Sequence, residues 1–228
     1  TGFAYLEPGD LGAAKELVKT QPVAAFFIEL VQGEGGVVPL DKGFVQGLAA
    51  LCKEQDILLM VDEVQTGNGR TGTLYAWQQY GIVPDVCSTA KGLAGGLPLG
   101  ATLLGDKVQN VLDAGDHGST FGGNPVCSAG AVHLLGRIDD KLLAEVQEKS
   151  AAIFAALQGA KGVKSVSGLG LMVGVETEKP AAEVVAQCMQ RGVLVLTAKG
   201  KVRLLPALNI PAEQLAKAIG ILADVCAE

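Results

Sequence analysis

Residues 58–72 read LLMVDEVQTGNGRTG. The first four residues of this stretch are apolar, which is typical of a short buried strand in a parallel sheet. Two carboxylates, Asp62 and Glu63, follow at once, and a loop broken by three glycines comes after them. The stretch therefore predicts a buried strand whose carboxyl end carries acidic side chains.

A second stretch, residues 84–100, reads PDVCSTAKGLAGGLPLG and contains another strand-like run at 86–89. Lys91 follows that run about 30 residues after Asp62, a length that suits one strand–helix–strand unit. Because ligands of open α/β sheets bind at the carboxyl ends of the strands, we expect an acid and an amine at one such edge.

An acid and an amine together favour pyridoxal phosphate. This cofactor binds covalently to a lysine and needs a carboxylate beside its pyridine nitrogen. The alternative from spacing alone is that Asp62 caps a turn and that Lys91 is a solvated surface lysine. A nicotinamide-binding Rossmann protein is disfavoured, since no G-x-G-x-x-G follows a strand with an acid about 20 residues further on.

The sequences VDEVQTGNGRTG and STAKGLAGGLPLGA resemble the class III aminotransferases of the ornithine and acetylornithine type. The resemblance implies an α/β fold, that of the fold-type I pyridoxal-phosphate-dependent transferases. Residues 1–136 would be the C-terminal part of the large, mostly parallel-sheet domain, and residues 137–228 a small C-terminal α+β domain.

The resemblance also implies roles for individual residues around the cofactor. Lys91 would bind pyridoxal phosphate covalently and move the substrate proton, Asp62 would keep the pyridine nitrogen protonated, and Gln65 would contact the phenolic oxygen. The remaining predicted cofactor-binding residues are Glu63, Val64 and Thr120.

The loop VQGEGGVVPL matches the family pattern E-P-x-Q-G-E-G-G, except that Leu30 stands where the pattern has proline. Glu34 in this loop could be an ordinary exposed acid. In the family the matching glutamate is implied to pair with the substrate-binding arginine and to release it when a dicarboxylate arrives.

Arg203 lies in the apolar segment VRLLPALNI, where a buried guanidinium needs a partner. That partner could be a structural acid or a ligand. The resemblance favours the ligand, since the matching arginine binds the substrate carboxylate through a two-pronged contact.

The segment HGSTFGGNP is rich in hydroxyls and small residues, which suit a phosphate group. Alone it would read as a glycine-rich linker. The resemblance implies that Ser119, as a substrate-binding residue, and Thr120, as a cofactor-binding residue, serve the site of the neighbouring subunit in a homodimer.

Composition narrows the function classes. The chain has 228 residues, 49% of them hydrophobic, and a net charge of −6, which argues against a nucleic-acid partner. No apolar window is long enough for a membrane span. Five scattered cysteines without a CxxC pair and only two histidines predict reduced, mostly buried thiols, no metal site and a cytoplasmic protein.

Within the family, the segments GVLVLTA and VRLLPALNI look most like the acetylornithine branch. The expected reaction is transfer of the terminal amino group of an ornithine-type substrate to 2-oxoglutarate in arginine biosynthesis. Ornithine, succinylornithine and 4-aminobutyrate remain alternative donors. The family's phosphate cradle and ring-stacking aromatic have no counterpart here, so the chain is also expected to be a fragment, inactive alone, and a non-catalytic module is the competing class.

Periodicity predicts the remaining elements. We expect helices over 10–20, 42–55, 74–80, 106–115, 125–138, 141–161, 181–190 and 211–227. We expect strands over 23–30, 99–104, 163–176, 192–198 and 201–208.

Overall fold

A computed structural model describes residues 2–228. The elements in chain order are α1 (Leu11–Thr20), β1 (Ala25–Glu29), β2 (Val31–Gln32), β3 (Val38–Pro39), α2 (Lys42–Glu54), β4 (Leu58–Asp62), α3 (Trp77–Tyr80), β5 (Val86–Thr89), a 3-10 helix (Lys91–Ala94), β6 (Ala101–Leu104), α4 (Pro125–Leu135), α5 (Asp140–Leu157), β7 (Val163–Leu169), β8 (Met172–Thr177), α6 (Ala181–Gln190), β9 (Leu196–Ala198), β10 (Lys201–Leu204) and α7 (Ala212–Ala227).

The chain divides into two compact units. The first unit holds the residues up to Leu30, 40–68 and 76–136. The second unit holds residues 31–39, 69–75 and 137–228. The predicted division into domains at residue 136 stays a prediction.

The first unit is built on a four-stranded sheet of order β1-β4-β5-β6. The first three strands are parallel, and β6 pairs with β5 in the antiparallel direction. The predicted strand at 86–89 is confirmed, and the four strands expected before residue 105 are the four strands of this sheet; the short strands β2 and β3 were not predicted. Because β1, β4 and β5 run in parallel, their carboxyl ends meet at one edge of the sheet.

Short polar side chains fix where four of the helices begin. Asp10, Asp41 and Asp139 each accept a hydrogen bond from the backbone N–H three residues on, at 2.8 Å. Asn124 accepts from two backbone N–H groups of α4 in the same way. These N-caps satisfy amides that have no partner within the helix, which is why the predicted N-terminal boundaries lie close to the observed ones.

The second unit contains an antiparallel sheet of order β7-β8-β10-β9 and the short hairpin β2-β3. Its core lies between this sheet and α5, α6 and α7. The fully buried side chains of that core include Val146, Ile153, Leu157, Val173, Val175, Val184 and Val225. The prediction that residues 163–176 form strands of an antiparallel sheet is confirmed.

One predicted helix is wrong, and several predicted elements are longer than observed, among them the helix over 74–80, which is Trp77–Tyr80, and the strand over 201–208, which is Lys201–Leu204. Residues 106–115 form successive turns rather than a helix, because local hydrogen bonds such as Gln109 to Asp106 and Asp113 N–H to Asp116 replace a helical ladder. The strand predicted over 192–198 shortens to Leu196–Ala198, since the Val193 N–H donates to the Cys188 carbonyl at the end of α6.

All five cysteines are buried and free. Burial raises the pKa of Cys52 to about 11 and that of Cys87 to about 12. Within residues 2–228 no helix is both long and apolar enough to cross a membrane. The same part of the chain contains no cluster of acidic, histidine and cysteine side chains that could bind a metal ion.

Candidate functional site

The predicted cofactor residues Asp62 and Lys91 lie at or just beyond the carboxyl ends of the parallel strands β4 and β5. Asp62 is the last residue of β4 and lies in register with Glu29 of β1 and Ser88 of β5. Side chains alternate along a strand, so residues in register on neighbouring strands share one face of the sheet. The opposite face of β4 and β5 is the more buried one. Asp62 and Ser88 therefore lie on the same, less buried face.

Asp62 also shapes the turn that follows β4. Its Oδ1 accepts a hydrogen bond from the Val64 N–H at 2.8 Å, so the capping role considered as an alternative exists in the structure. This contact orients the carboxylate with respect to the backbone of the strand end. It fixes the side chain without burying it, which is compatible with a second role towards a ligand.

Glu63 has a different environment from its neighbour. It is fully buried, and its carboxylate accepts from Thr66 Oγ1 at 2.5 Å and from the Trp77 N–H at 2.9 Å. Burial raises the pKa of Glu63, and the two hydrogen bonds oppose that rise. Its side chain stabilises the loop that follows β4. Cofactor contacts of Glu63, Val64 and Gln65 stay predictions.

Lys91 follows Ser88 by three residues and begins the 3-10 helix. Its side chain is exposed, and its φ of 48° lies in the left-handed region, which lysine rarely adopts. Such local strain is concentrated at functional sites, where the surrounding structure enforces it.

Asn68 enforces the conformation of the chain just before Lys91. Its buried Nδ2 donates to Thr89 Oγ1 and to the Ala90 carbonyl, both at 3.1 Å. Asn68 had no predicted role. An asparagine between two glycines was the available signal, since asparagine tolerates the left-handed conformation that it has here, with φ of 57°.

Ser88 was also missed. Its buried Oγ has no hydrogen-bond partner among residues 2–228, although it lies on the face that carries Asp62. A buried hydroxyl without a partner is unusual and indicates a place for a polar ligand group. A carboxylate, a hydroxyl and an amine thus gather at one sheet edge, a donor set that fits pyridoxal phosphate.

The second unit brings together the two predicted substrate residues, Arg203 and Glu34. Arg203 Nη1 donates to Glu34 Oε1 at 2.6 Å, although the residues are far apart in sequence. The Arg203 side chain is 10% exposed, whereas that of Glu34 is 74% exposed. A buried cation is therefore paired with an acid that can turn into solvent.

Arg203 has unused hydrogen-bonding capacity. Its Nε is buried and has no partner in the described part of the chain. A guanidinium offers a planar set of donors that matches a carboxylate through two parallel hydrogen bonds. The contacts of Arg203 therefore suit an exchangeable carboxylate, with Glu34 occupying part of the guanidinium in the structure. Its role in substrate binding remains a prediction.

Arg70 is a structural residue without a predicted role. Its Nη1 donates to the carbonyls of Leu171 and Pro206, and burial lowers its pKa to about 10. These bonds hold segment 69–75 against the rest of the second unit. Nothing local in the sequence identifies such carbonyl partners.

Ser119 and Thr120 lie in a succession of turns between β6 and α4, and both are exposed. The Gly122 N–H donates to the Ser119 carbonyl at 3.1 Å, which closes one of these turns. Neither side chain is involved in the geometry described above. Their service to a neighbouring subunit stays a prediction.

Comparison with known proteins gives consistent matches along nearly the whole chain. The model of the family described as Aminotransferase class-III matches residues 10–226. An acetylornithine aminotransferase of Haemophilus ducreyi is 51% identical over 229 residues, covering 100% of this chain and 58% of that protein. The acetylornithine aminotransferase of Methanothermobacter thermautotrophicus is 39% identical, and the matched region covers 100% of this chain and 60% of that protein.

Solved structures agree with these relatives. Ornithine δ-aminotransferase of Plasmodium falciparum superposes with a TM-score of 0.90 at 35% identity, covering 98% of this chain and 61% of that one. N-acetylornithine aminotransferase of Stenotrophomonas maltophilia gives a TM-score of 0.88 at 34% identity, with the same coverage of both chains. The predicted fold class is confirmed, and the chain spans less than two thirds of the length of these relatives.

Proposed function

Because this chain belongs to the class III aminotransferase family, we propose that the protein transfers the terminal amino group of an ornithine-type substrate to 2-oxoglutarate. N2-acetylornithine is the preferred donor, in keeping with the names of the curated relatives. The reaction belongs to arginine biosynthesis, and the protein works as a cytoplasmic homodimer.

One observation carries the proposal. Asp62 lies in register with Ser88 at the carboxyl edge of parallel strands. Ser88 in turn precedes Lys91 by three residues. Pyridoxal phosphate, when bound, supplies an electron sink for the carbon that carries the substrate amino group. The residues that would hold it are Lys91, Asp62, Ser88 and Gln65, together with Thr120 of the neighbouring subunit.

Three residues of the first unit have separate roles in the proposed reaction. The Asp62 carboxylate would stabilise the protonated pyridine nitrogen, and its hydrogen bond from the Val64 N–H fixes its orientation. The Lys91 amine would hold the cofactor covalently, and as a free amine it would accept the proton from the substrate carbon. Asn68 keeps the backbone before Lys91 in position through its bonds to Thr89 and Ala90.

The residues of the second unit select the substrates. Arg203 binds the substrate carboxylate, and Glu34 pairs with Arg203 until a dicarboxylate displaces it. Ser119 of the neighbouring subunit adds a further substrate contact. One arginine with a releasable acid can thus accept first a monocarboxylate amine donor and then 2-oxoglutarate.

The test is a steady-state assay of the complete gene product with pyridoxal phosphate and 2-oxoglutarate. N2-acetylornithine, ornithine, succinylornithine and 4-aminobutyrate serve as competing donors. We expect glutamate to form with the highest kcat/KM from N2-acetylornithine. A higher value with another donor would change the substrate, and no glutamate from any of them would overturn the proposal.

A further inference from the structure

The loop that carries Glu34 lies over a row of paired residues that runs across three neighbouring strands of the antiparallel sheet in the second unit. Ser167 of β7 and Arg203 of β10 both pair with Gly174 of the central strand β8. Directly opposed residues project from the same face of a sheet. Lys201 precedes Arg203 by two residues, so it projects from that face as well.

Gly174 makes close approach of the loop possible. A Cβ at position 174 would lie 2.8 Å from Val37 Cβ and 3.2 Å from the Gly36 carbonyl oxygen. Any larger side chain would therefore displace the loop from the sheet. The absence of a side chain lets residues 36–37 rest on β8 between Ser167 and Arg203.

The two ends of the loop are held by different contacts. At its beginning, Glu34 accepts from Arg203 Nη1 at 2.6 Å. At its end, the Val37 carbonyl accepts from Ser167 Oγ at 2.8 Å, and that hydroxyl accepts from Lys201 Nζ at 2.8 Å. We call the Lys201–Ser167–Val37 contact the Val37 anchor.

Val37 needs such an anchor because its backbone is strained. Its φ of 52° lies in the left-handed region, which is especially unfavourable for a β-branched residue. The side chain is fully buried with Val31, Met172 and Ala198. The ammonium of Lys201 polarises the Ser167 hydroxyl and so strengthens its bond to the Val37 carbonyl.

We propose that Lys201 and Ser167 are positioning residues that set how firmly Glu34 holds Arg203, and thereby how readily a dicarboxylate reaches that arginine. The inference rests on the proposed function for its substrates and on the contacts above for its geometry. With the Val37 anchor in place the loop backbone stays fixed, and only the Glu34 side chain turns away when a carboxylate arrives. Without it, Glu34 competes less effectively for Arg203.

Backbone hydrogen exchange of residues 33–38 tests the anchor without any assay of activity. The N–H groups of Gly36 and Val37 donate to the Gly33 carbonyl, so they report opening of the loop. In Ser167→Ala and in Lys201→Met we expect exchange about fivefold faster, the effect of one lost hydrogen bond. Ser165→Ala is the matched control, since this serine of the same strand bonds Glu176 instead.

A double-variant cycle tests the link to Glu34. If the anchor and the Glu34–Arg203 pair strengthen each other, Ser167→Ala with Glu34→Ala accelerates exchange by less than the product of the two single effects. Unchanged exchange in both single anchor variants, or a double effect equal to that product, would overturn the proposal.

Kinetics of the complete gene product with pyridoxal phosphate give the functional readout. Ser167→Ala should lower KM for 2-oxoglutarate about threefold and leave kcat within about twofold, since one hydrogen bond to the loop is lost and Lys91 is untouched. The KM effect should vanish in the Glu34→Ala background and be absent in Ser165→Ala. An equal KM effect in both backgrounds would contradict the proposal, whereas absence of transamination with the expected exchange pattern would refute only the proposed function.

Discussion

Asp62, at the end of a strand in the first unit, and Arg203, within a strand of the second, differ in how their charges are stabilised. Asp62 is half-buried and held by a backbone N–H, and Lys91, beyond the neighbouring strand, is exposed. Arg203 is buried and already paired with an exposed acid. A cofactor that stays bound needs partners oriented in advance, whereas substrates that alternate need a cation whose partner can leave.

The largest expected effect comes from Lys91. Lys91→Ala should lower kcat by at least about a thousandfold, because it removes both the covalent partner and the proton carrier. The side chain is exposed, so without added pyridoxal phosphate the melting temperature of the variant should match that of the wild type. Retention of a tenth of the activity would show that the exposed amine is an ordinary surface lysine.

Asp62→Asn should have the next largest effect. An asparagine oxygen can still cap the turn at Val64, but the negative charge beside the pyridine nitrogen is lost, so kcat should fall by about a hundredfold. The measurement is steady-state kinetics at saturating pyridoxal phosphate. Wild-type kcat in this variant would mean that Asp62 only caps the turn.

Arg203→Lys tests whether the arginine of the second unit binds the substrate carboxylate. A lysine keeps the charge but cannot make two parallel hydrogen bonds, so KM for 2-oxoglutarate should rise about tenfold or more. Arg191→Lys is the control, since Arg191 is bonded to the exposed Glu228. If both variants changed KM equally, the carboxylate-binding role of Arg203 would be lost.

Glu63 should affect stability rather than substrate turnover. Burial raises its pKa in the folded state above the ordinary value of 4.5, so the fold favours the protonated form. Its contribution to stability is present in full below that value and is lost as pH rises through the raised pKa. We therefore expect the free energy of unfolding of the wild type to fall relative to that of Glu63→Gln from about pH 4.5 upwards. Urea unfolding of both proteins across this range gives the comparison, and a constant difference would contradict it.

The sequence was most informative where a pattern is local. The strand at Val86–Thr89 and the helix Ala181–Gln190 were predicted to the residue, because apolar runs and helical periodicity decide them. The pairing of Glu34 with Arg203 came from the family resemblance, and the structure contains it.

Features that depend on distant partners were missed. Ser88 and Asn68 stand within motifs that the sequence analysis used, but the missing partner of the first and the bonds of the second appear only when two strands are paired. The bond from Ser167 to the Val37 carbonyl joins two segments of the second unit that are far apart in sequence. In residues 106–115 polar side chains favoured local turns over the helix that the pattern predicted.

The most direct measurement is reduction of the complete gene product with borohydride after incubation with pyridoxal phosphate, followed by peptide mass spectrometry. We expect one phosphopyridoxyl group on Lys91, and none at that position in Lys91→Ala. A label spread over surface lysines, or no label on the peptide that contains residues 84–100, would contradict the claim that this sheet edge binds the cofactor.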